Sequence, residues 1–189
     1  MDQRSKLGNI VKVLSGYSFK ESVDNLPSGD TYVLQAKDIA EDLSIELNEN
    51  RKISLKDISS KATTHKNDVI IVCKGNPSIA IISSNDPILI SSSLYIIRVT
   101  NNSIIPKFLA IYLNSSKGQR ELDRISLGAY IKGISRQNLE DLVVPVPNIQ
   151  TQQLVISLFE NITKQKSLLE RRMVINDEIL NYTINKLNL

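Results

Sequence analysis

The side chains that could do covalent or metal chemistry are few and isolated. His65 and Cys73 are the sole histidine and cysteine among 189 residues. His65 sits in KATTHKND (61 to 68), which reads as a solvent-facing loop, and with no other Cys or His beside it there is no zinc site. Cys73 closes the apolar run DVIIVC, the setting of a buried, inert thiol rather than of a nucleophile. Asn76-Pro77 could open the Asn-Pro-Pro-aromatic motif of amino-methyltransferases, but Ser78 and Ile79 follow and remove it. No Asp or Glu is followed two positions later by Lys, so the carboxylate-lysine pairing of metal nucleases is missing. Neither a Walker A sequence nor a GxGxxG is present. A non-catalytic chain with no metal and no cofactor of its own is expected.

What remains is binding chemistry. The chain carries 23 Lys and Arg against 20 Asp and Glu, a net charge of +3, mildly basic and compatible with a nucleic-acid partner such as double-stranded DNA without demanding one. Cations would meet phosphates, and side chains reaching base edges would discriminate sequence. The DNA-binding candidates lie near turns and on one short helix. Lys20 follows the turn Gly16-Tyr17-Ser18-Phe19, and Lys37 closes YVLQAK; Lys74, Asn76 and Ser78 surround Gly75. Tyr130, Lys132, Ser135 and Arg136 flank Gly133, with Gln137 next, while Arg120 and Arg124 stand one helical turn apart. Lys74, Asn76, Arg136 and Gln137 are the preferred base readers, because Arg and Lys pair with guanine and Asn or Gln with adenine. For each position the competing reading is an ordinary solvated side chain.

These residues need a scaffold. From Leu7 to about Val99 the chain alternates β-branched segments, YVLQAKDI, DVIIVCKG, SIAIISS, PILISSS and LYIIRVT, with turn signals such as Gly75-Asn76-Pro77. Mixed or antiparallel strands are expected. Helical periodicity then takes over in PKFLAIYLNSSKGQRELDRI (106 to 125), with a break expected at Lys117-Gly118. SLGAYIKGIS reads as a loop or bulged strand, SRQNLEDL as a short helix, and VVPVP as an edge strand or extended exit. The fold class is α+β: a strand-rich domain over 1–147 and a long helix over 148–189, with Asn148 as its N-cap.

Along that helix Val155, Leu158, Ile162, Leu169, Met173, Leu180, Ile184 and Leu187 recur at a spacing of three and four, with Gln165 and Asn176 in the two gaps. Leu168, Ile175, Ile179 and Tyr182 form a second stripe. About 60 Å of helix is too long for the rest of the chain to cover, so a partner helix in an antiparallel coiled coil is expected, most simply from a second copy. Folding of the helix back onto its own domain is the alternative. The start MDQRSKLGNI has no signal-peptide core and no apolar run is long enough to span a bilayer, so a soluble, cytoplasmic protein without a membrane partner is expected.

Short motifs, in order, carry a resemblance across nearly the whole chain. KLGNIVKVLSG (6 to 16), YVLQAKDI, NDVIIVCKGNPSIAII and GAYIKGISRQNLEDLVVPVPNIQTQQ resemble those of the specificity subunit of type I restriction-modification systems, in its half-size form. In the last of them Gly128, Ile134, Ser135, Leu139, Pro145, Pro147 and Gln152 fit the pattern. Asn9 stands where the family has Asp, Asn67 where it has Gly, and Asn148, Ile149 and Thr151 where it has Pro, Leu and Glu. The resemblance implies one target-recognition domain plus one spacer helix. Two copies paired through their helices would then read an interrupted, palindromic site. It also implies separate partners: a modification subunit that binds S-adenosylmethionine and methylates, docked on the outer stripe, and a motor and restriction subunit that cleaves. The recognition part of a fused methyltransferase-endonuclease, and a coiled-coil scaffold with no DNA role, remain alternatives.

Overall fold

The computed structural model describes residues 3–20, 28–40, 42–48, 51–54, 62–127 and 133–187. Its centre is an antiparallel sheet in the order β2 (Val11–Ser15), β8 (Leu94–Val99), β5 (Val69–Val72), β6 (Ile79–Ile81). All four residues of β5 are buried, as a strand covered on both faces requires. On one face Ile70, Val72, Leu94 and Ile96 pack against Leu34 and Ile90, which come from a second sheet. That sheet joins β4 (Lys52–Ile53), β3 (Ser28–Leu34) and β7 (Leu89–Ile90), with β3 and β7 parallel. The expected mixture of strand directions is present. Each large aliphatic side chain buried here contributes about 1.5–3 kcal/mol.

Against β5 and β6 lies α1 (Pro106–Asn114), followed by α2 (Ser116–Ile125). The expected break at Lys117-Gly118 is corrected: the helices part at Ser115. Its hydroxyl donates to the Tyr112 carbonyl and accepts from the Gly118 N–H, which ends one helix and caps the next. Gly118 instead sits buried in the first turn of α2, where a Cβ would run into the Tyr112 carbonyl. A second correction concerns YVLQAKDI, expected as one extended segment. β3 stops at Leu34 because the Asp38 carboxylate accepts the Gln35 N–H at 2.8 Å and tightens Ala36–Asp38 into a 3-10 turn.

The two prolines behave as an edge strand demands. Among the described residues β11 (Val143–Val146) pairs only with β1 (Gln3–Lys6), Pro145 opposite Arg4. Asn148 then caps α4 (Ile149–Lys186), its Oδ1 accepting the Thr151 N–H at 2.8 Å. By contact density the chain forms two compact units, Met1–Gln153 and Leu154–Leu189. The first turn of α4 belongs to the former through Gln152, which is wholly buried. Its Oε1 accepts the Ile105 N–H at 2.7 Å, and its Nε2 donates to Ser103 O at 2.9 Å and Pro147 O at 2.7 Å. Gln152→Leu should therefore lower stability by on the order of 3 kcal/mol, since every buried group left unpaired costs about 1–3 kcal/mol. The midpoint of urea unfolding measures it.

Beyond Gln152, Val155, Ile156 and Phe159 are half-buried, whereas Leu158, Leu169, Met173 and Leu180 each show more than half of their surface.

Candidate nucleic-acid interface

One end of the central sheet gathers most of the chemistry. The register places Ser15 opposite Tyr95, Tyr95 opposite Ile71, and Ile71 opposite Ile79, so the loops after β2 and β5 and before β8 meet there. Between β5 and β6 the chain turns through Gly75, whose φ of +106° favours a residue without a Cβ. Val72 N–H bonds to Ser78 O at 2.9 Å and closes the turn. Lys74 and Asn76 are left exposed at its tip, with Ser78 half-buried.

A second segment docks on that turn. β9 (Ser126–Leu127) pairs with β10 (Gly133–Ile134), Ile134 N–H bonds to Cys73 O at 2.9 Å, and Lys74 bridges to Gly133. Ser135 then caps the short helix α3 (Arg136–Asp141) by accepting the Asn138 N–H at 3.1 Å. Asn138 returns along the same path, donating from Nδ2 to the Ile125 carbonyl at the end of α2. Lys74, Asn76 and Ser78 are thereby joined to Ser135, Arg136 and Gln137 in one cluster, although 60 or so residues separate them in sequence. Arg124 lies two residues before β9 and Arg120 is one turn farther back, both exposed. Lys20 and Lys37 are exposed on other segments, Lys37 on the 3-10 turn after β3. Tyr130 and Lys132 lie outside the described residues.

Three basic or amide candidates are held by neighbouring acids, the first being Arg124, whose Nη1 donates to Glu121 at 3.0 Å. Arg136 Nε donates to Glu140 at 2.7 Å, and Gln137 donates to Asp141, which also pairs with Lys6 at 2.8 Å. The Lys6 contact and the Gln137 bond hold the Asp141 carboxyl below its usual range. Such exposed pairs are worth at most about 1 kcal/mol, so an incoming phosphate or base can displace them.

Beneath the cluster sit Cys73 and Tyr95. Burial pushes the Cys73 thiol up, against the opposing effects of Lys74 and a hydrogen bond with Tyr95, so the protonated, inert form dominates. The Tyr95 phenol is pushed up by burial first and then by Cys73, while a hydrogen bond with the Arg136 backbone works the other way. Tyr95 thus links β8 to the first turn of α3, a role invisible in LYIIRVT, where it reads as one more strand residue. Among the described residues no group of three or more His, Cys, Asp or Glu could hold a metal ion, and no helix is long and apolar enough to cross a membrane. His65 is exposed.

Two motif aspartates have structural work that the sequence leaves unexplained. Asp38 is buried in a two-point contact with Arg51, and Asp68 in another with Arg98, Nε to Oδ1 at 2.8 Å and Nη2 to Oδ2 at 2.6 Å. Each also accepts the backbone N–H three residues earlier, from Gln35 and His65. Asn67 takes a left-handed φ of +69°, a conformation that Gly adopts freely and Asn tolerates.

The family model for the type I restriction modification DNA specificity domain matches residues 3–180. No curated protein matches the chain significantly. Among solved structures, a chain from a study of complex assembly and conformational transition of the type I R-M system superposes with a TM-score of 0.65 at 18% identity, over 89% of this chain and 40% of that one. The HsdS subunit from Thermoanaerobacter tengcongensis gives 0.63 at 18%, over 89% and 39%. The S subunit of a type I system from M. genitalium gives 0.65 at 16%, over 94% and 43%. At these identities the likeness is one of fold, strand-rich unit and long helix together, and the chain spans about two fifths of the length of each structure.

Proposed function

Because the chain belongs to the family of type I restriction modification DNA specificity domains, we propose that it is the DNA-reading component of such a system and has no catalytic step of its own. The observation that carries this reading is the extent of the family match, which runs through the strand-rich unit and on along most of α4. Both a reader and a spacer are accounted for. The cluster around Lys74, Asn76, Arg136 and Gln137 supplies the reading surface, cations for phosphates and forked donors for base edges.

Two copies paired through the exposed seam of α4 form the working unit in the cytoplasm. Identical readers related by a two-fold axis then meet identical half-sites on opposite strands, so the target is an interrupted palindrome. Methylation, with its S-adenosylmethionine, belongs to a separate modification subunit that docks on the outer stripe of Leu168, Ile175, Ile179 and Tyr182; translocation and cleavage belong to a motor and restriction subunit.

The test is selection from a random duplex library by this protein with its cognate modification subunit, followed by sequencing of the retained fraction. An interrupted palindrome is expected, and no enrichment would sink the reading. A second measurement addresses the reading surface. Lys74→Ala with Arg136→Ala should weaken binding, and if both side chains touch phosphates the slope of log affinity against log salt should become shallower by about 2. Fluorescence anisotropy between 50 and 200 mM salt reads both quantities, and an unchanged slope would remove these two residues from the phosphate contacts.

A further inference from the structure

Two acids on α3 hold the candidate base readers at the atoms that base reading does not use. Arg136 gives its Nε to Glu140 at 2.7 Å, and Gln137 gives one N–H of Nε2 to Asp141 at 2.8 Å. Among the described residues, the two Nη groups of Arg136 and the Oε1 of Gln137 make no hydrogen bond. An arginine engaged at Nε can still present both Nη groups end-on to guanine O6 and N7, but it can no longer grip a base or a phosphate side-on through Nε. A glutamine with one amide N–H engaged keeps the other for adenine N7, and keeps Oε1 for the adenine amino group. Neither bond has to break for a base to be read.

We propose that Glu140 and Asp141 are positioning residues that present Arg136 to a guanine and Gln137 to an adenine, so that each half-site carries these two purines close together. Closeness follows from the chain, since Cα atoms of neighbouring residues stand about 3.8 Å apart, similar to the spacing of about 3.4 Å between stacked bases. The proposal rests on the reading of this chain as a DNA-reading component, and it adds the bases read and the groups that aim the readers.

The platform under the two acids is fixed from several sides. Leu139 is fully buried, Asn138 Nδ2 donates to the Ile125 carbonyl at 3.1 Å, and the Leu7 N–H donates at 2.8 Å to the Leu142 carbonyl just past the end of α3. Gly8 lies so close that a Cβ there would stand 3.1 Å from Glu140 Cβ and 3.2 Å from its carbonyl oxygen. Lys6 bonds Asp141 Oδ1 at 2.8 Å while Gln137 takes Oδ2, so that carboxylate is held at both oxygens. Lys6 and Gly8, from the opening motif, thereby act on the readers through the acids. Exposure points the same way: the Glu140 side chain is 26% exposed and that of Arg136 is 53%, so the sheltered group aims the outward one. A reader already tied at one end loses less side-chain freedom when DNA arrives.

Selection from a random duplex library by the protein with its cognate modification subunit, run in parallel for Glu140→Ala, Glu140→Gln and Asp141→Ala, tests this. The unaltered protein is expected to enrich a guanine near an adenine in each half-site. Glu140→Ala should lower the preference for that guanine by about 3- to 5-fold, the range open to an exposed ion pair, and leave other positions unchanged. Glu140→Gln keeps an acceptor for Nε and should retain most of the preference, while Asp141→Ala should act at the adenine alone. Replacing the guanine with 7-deazaguanine, which lacks the N7 acceptor, should weaken binding by the unaltered protein more than binding by Glu140→Ala. An equal loss at every position would overturn the proposal, since it would assign the acids a merely structural role or set the arginine on phosphate. Base preferences that no variant alters would overturn it too. No enrichment by the unaltered protein would remove the DNA-reading function itself, a result distinct from either.

Discussion

Arg51→Met should destabilise the strand-rich unit by about 3–5 kcal/mol, the cost of leaving a buried charge without its partner. The Asp38 carboxylate and the Arg51 guanidinium are each only 4% exposed and meet at two points. The same carboxylate accepts the Gln35 N–H, and the Arg51 carbonyl accepts from Val33 in β3. A single guanidinium thus holds a charge that folding has taken out of water and fixes the 3-10 turn beside β3. Native domains are stable by about 5–15 kcal/mol in total, so this one substitution removes a large part of the margin. The midpoint of urea unfolding should fall steeply, and the double variant Asp38→Leu with Arg51→Met should recover part of the loss, because it removes both charges together. Arg98 offers a graded comparison: it holds Asp68 in the same way, but its own side chain is 27% exposed, so Arg98→Met should cost less. An equal midpoint for Arg51→Met and the unaltered protein would show that the pair is not needed for folding.

Those pairs mark the limit of what local sequence reveals. β5 and β8 are legible because unbroken runs of Ile, Val and Leu can only be satisfied by burial, and α4 because its apolar residues repeat at three and four. Asp38 and Arg51 stand 13 residues apart, and Asp68 and Arg98 stand 30 apart, with nothing in the spacing to join them. The end of β3 escapes for a related reason. A side-chain carboxylate that accepts a backbone N–H three residues back outweighs the β-propensity of YVLQAKDI, and that competition is decided only once Arg51 neutralises the carboxylate. The break between α1 and α2 depends likewise on Ser115, which serves both helices, rather than on the glycine that looked like the breaker.

The candidate interface divides in the same way. Gly75 with its exposed neighbours can be read directly, since a turn between two strongly apolar strands has to project its polar residues. That Lys74 and Arg136 share one surface cannot be read. It follows from the bond of Ile134 N–H to Cys73 O and from the link of Asn138 to the end of α2, both contacts between segments far apart in the chain. Tyr95 escapes entirely, because its part is played by the phenolic oxygen, whereas a strand pattern registers only the ring.

Leu169→Glu with Leu180→Glu should convert a dimer into a monomer. In a pair closed through α4 the double variant sets four carboxylates into one apolar seam. Each leucine buried there contributes about 1.5–3 kcal/mol, so losing four of them removes an amount comparable to the free energy of about 8 kcal/mol that a micromolar dimer has available, and the desolvation of the new carboxylates adds to the loss. Both residues are 58% to 60% exposed in the single chain, so the fold of the strand-rich unit should survive and its unfolding midpoint should hardly move. The consequence for DNA separates spacer from reader. Affinity for a duplex carrying both half-sites should fall by on the order of 10²–10⁴, the usual gain from tethering two binding events, while affinity for a duplex with one half-site stays the same. Equal losses on both duplexes would mean that the substitutions damage the reader itself, and an unchanged mass in sedimentation would mean that the seam is closed by something other than a second copy.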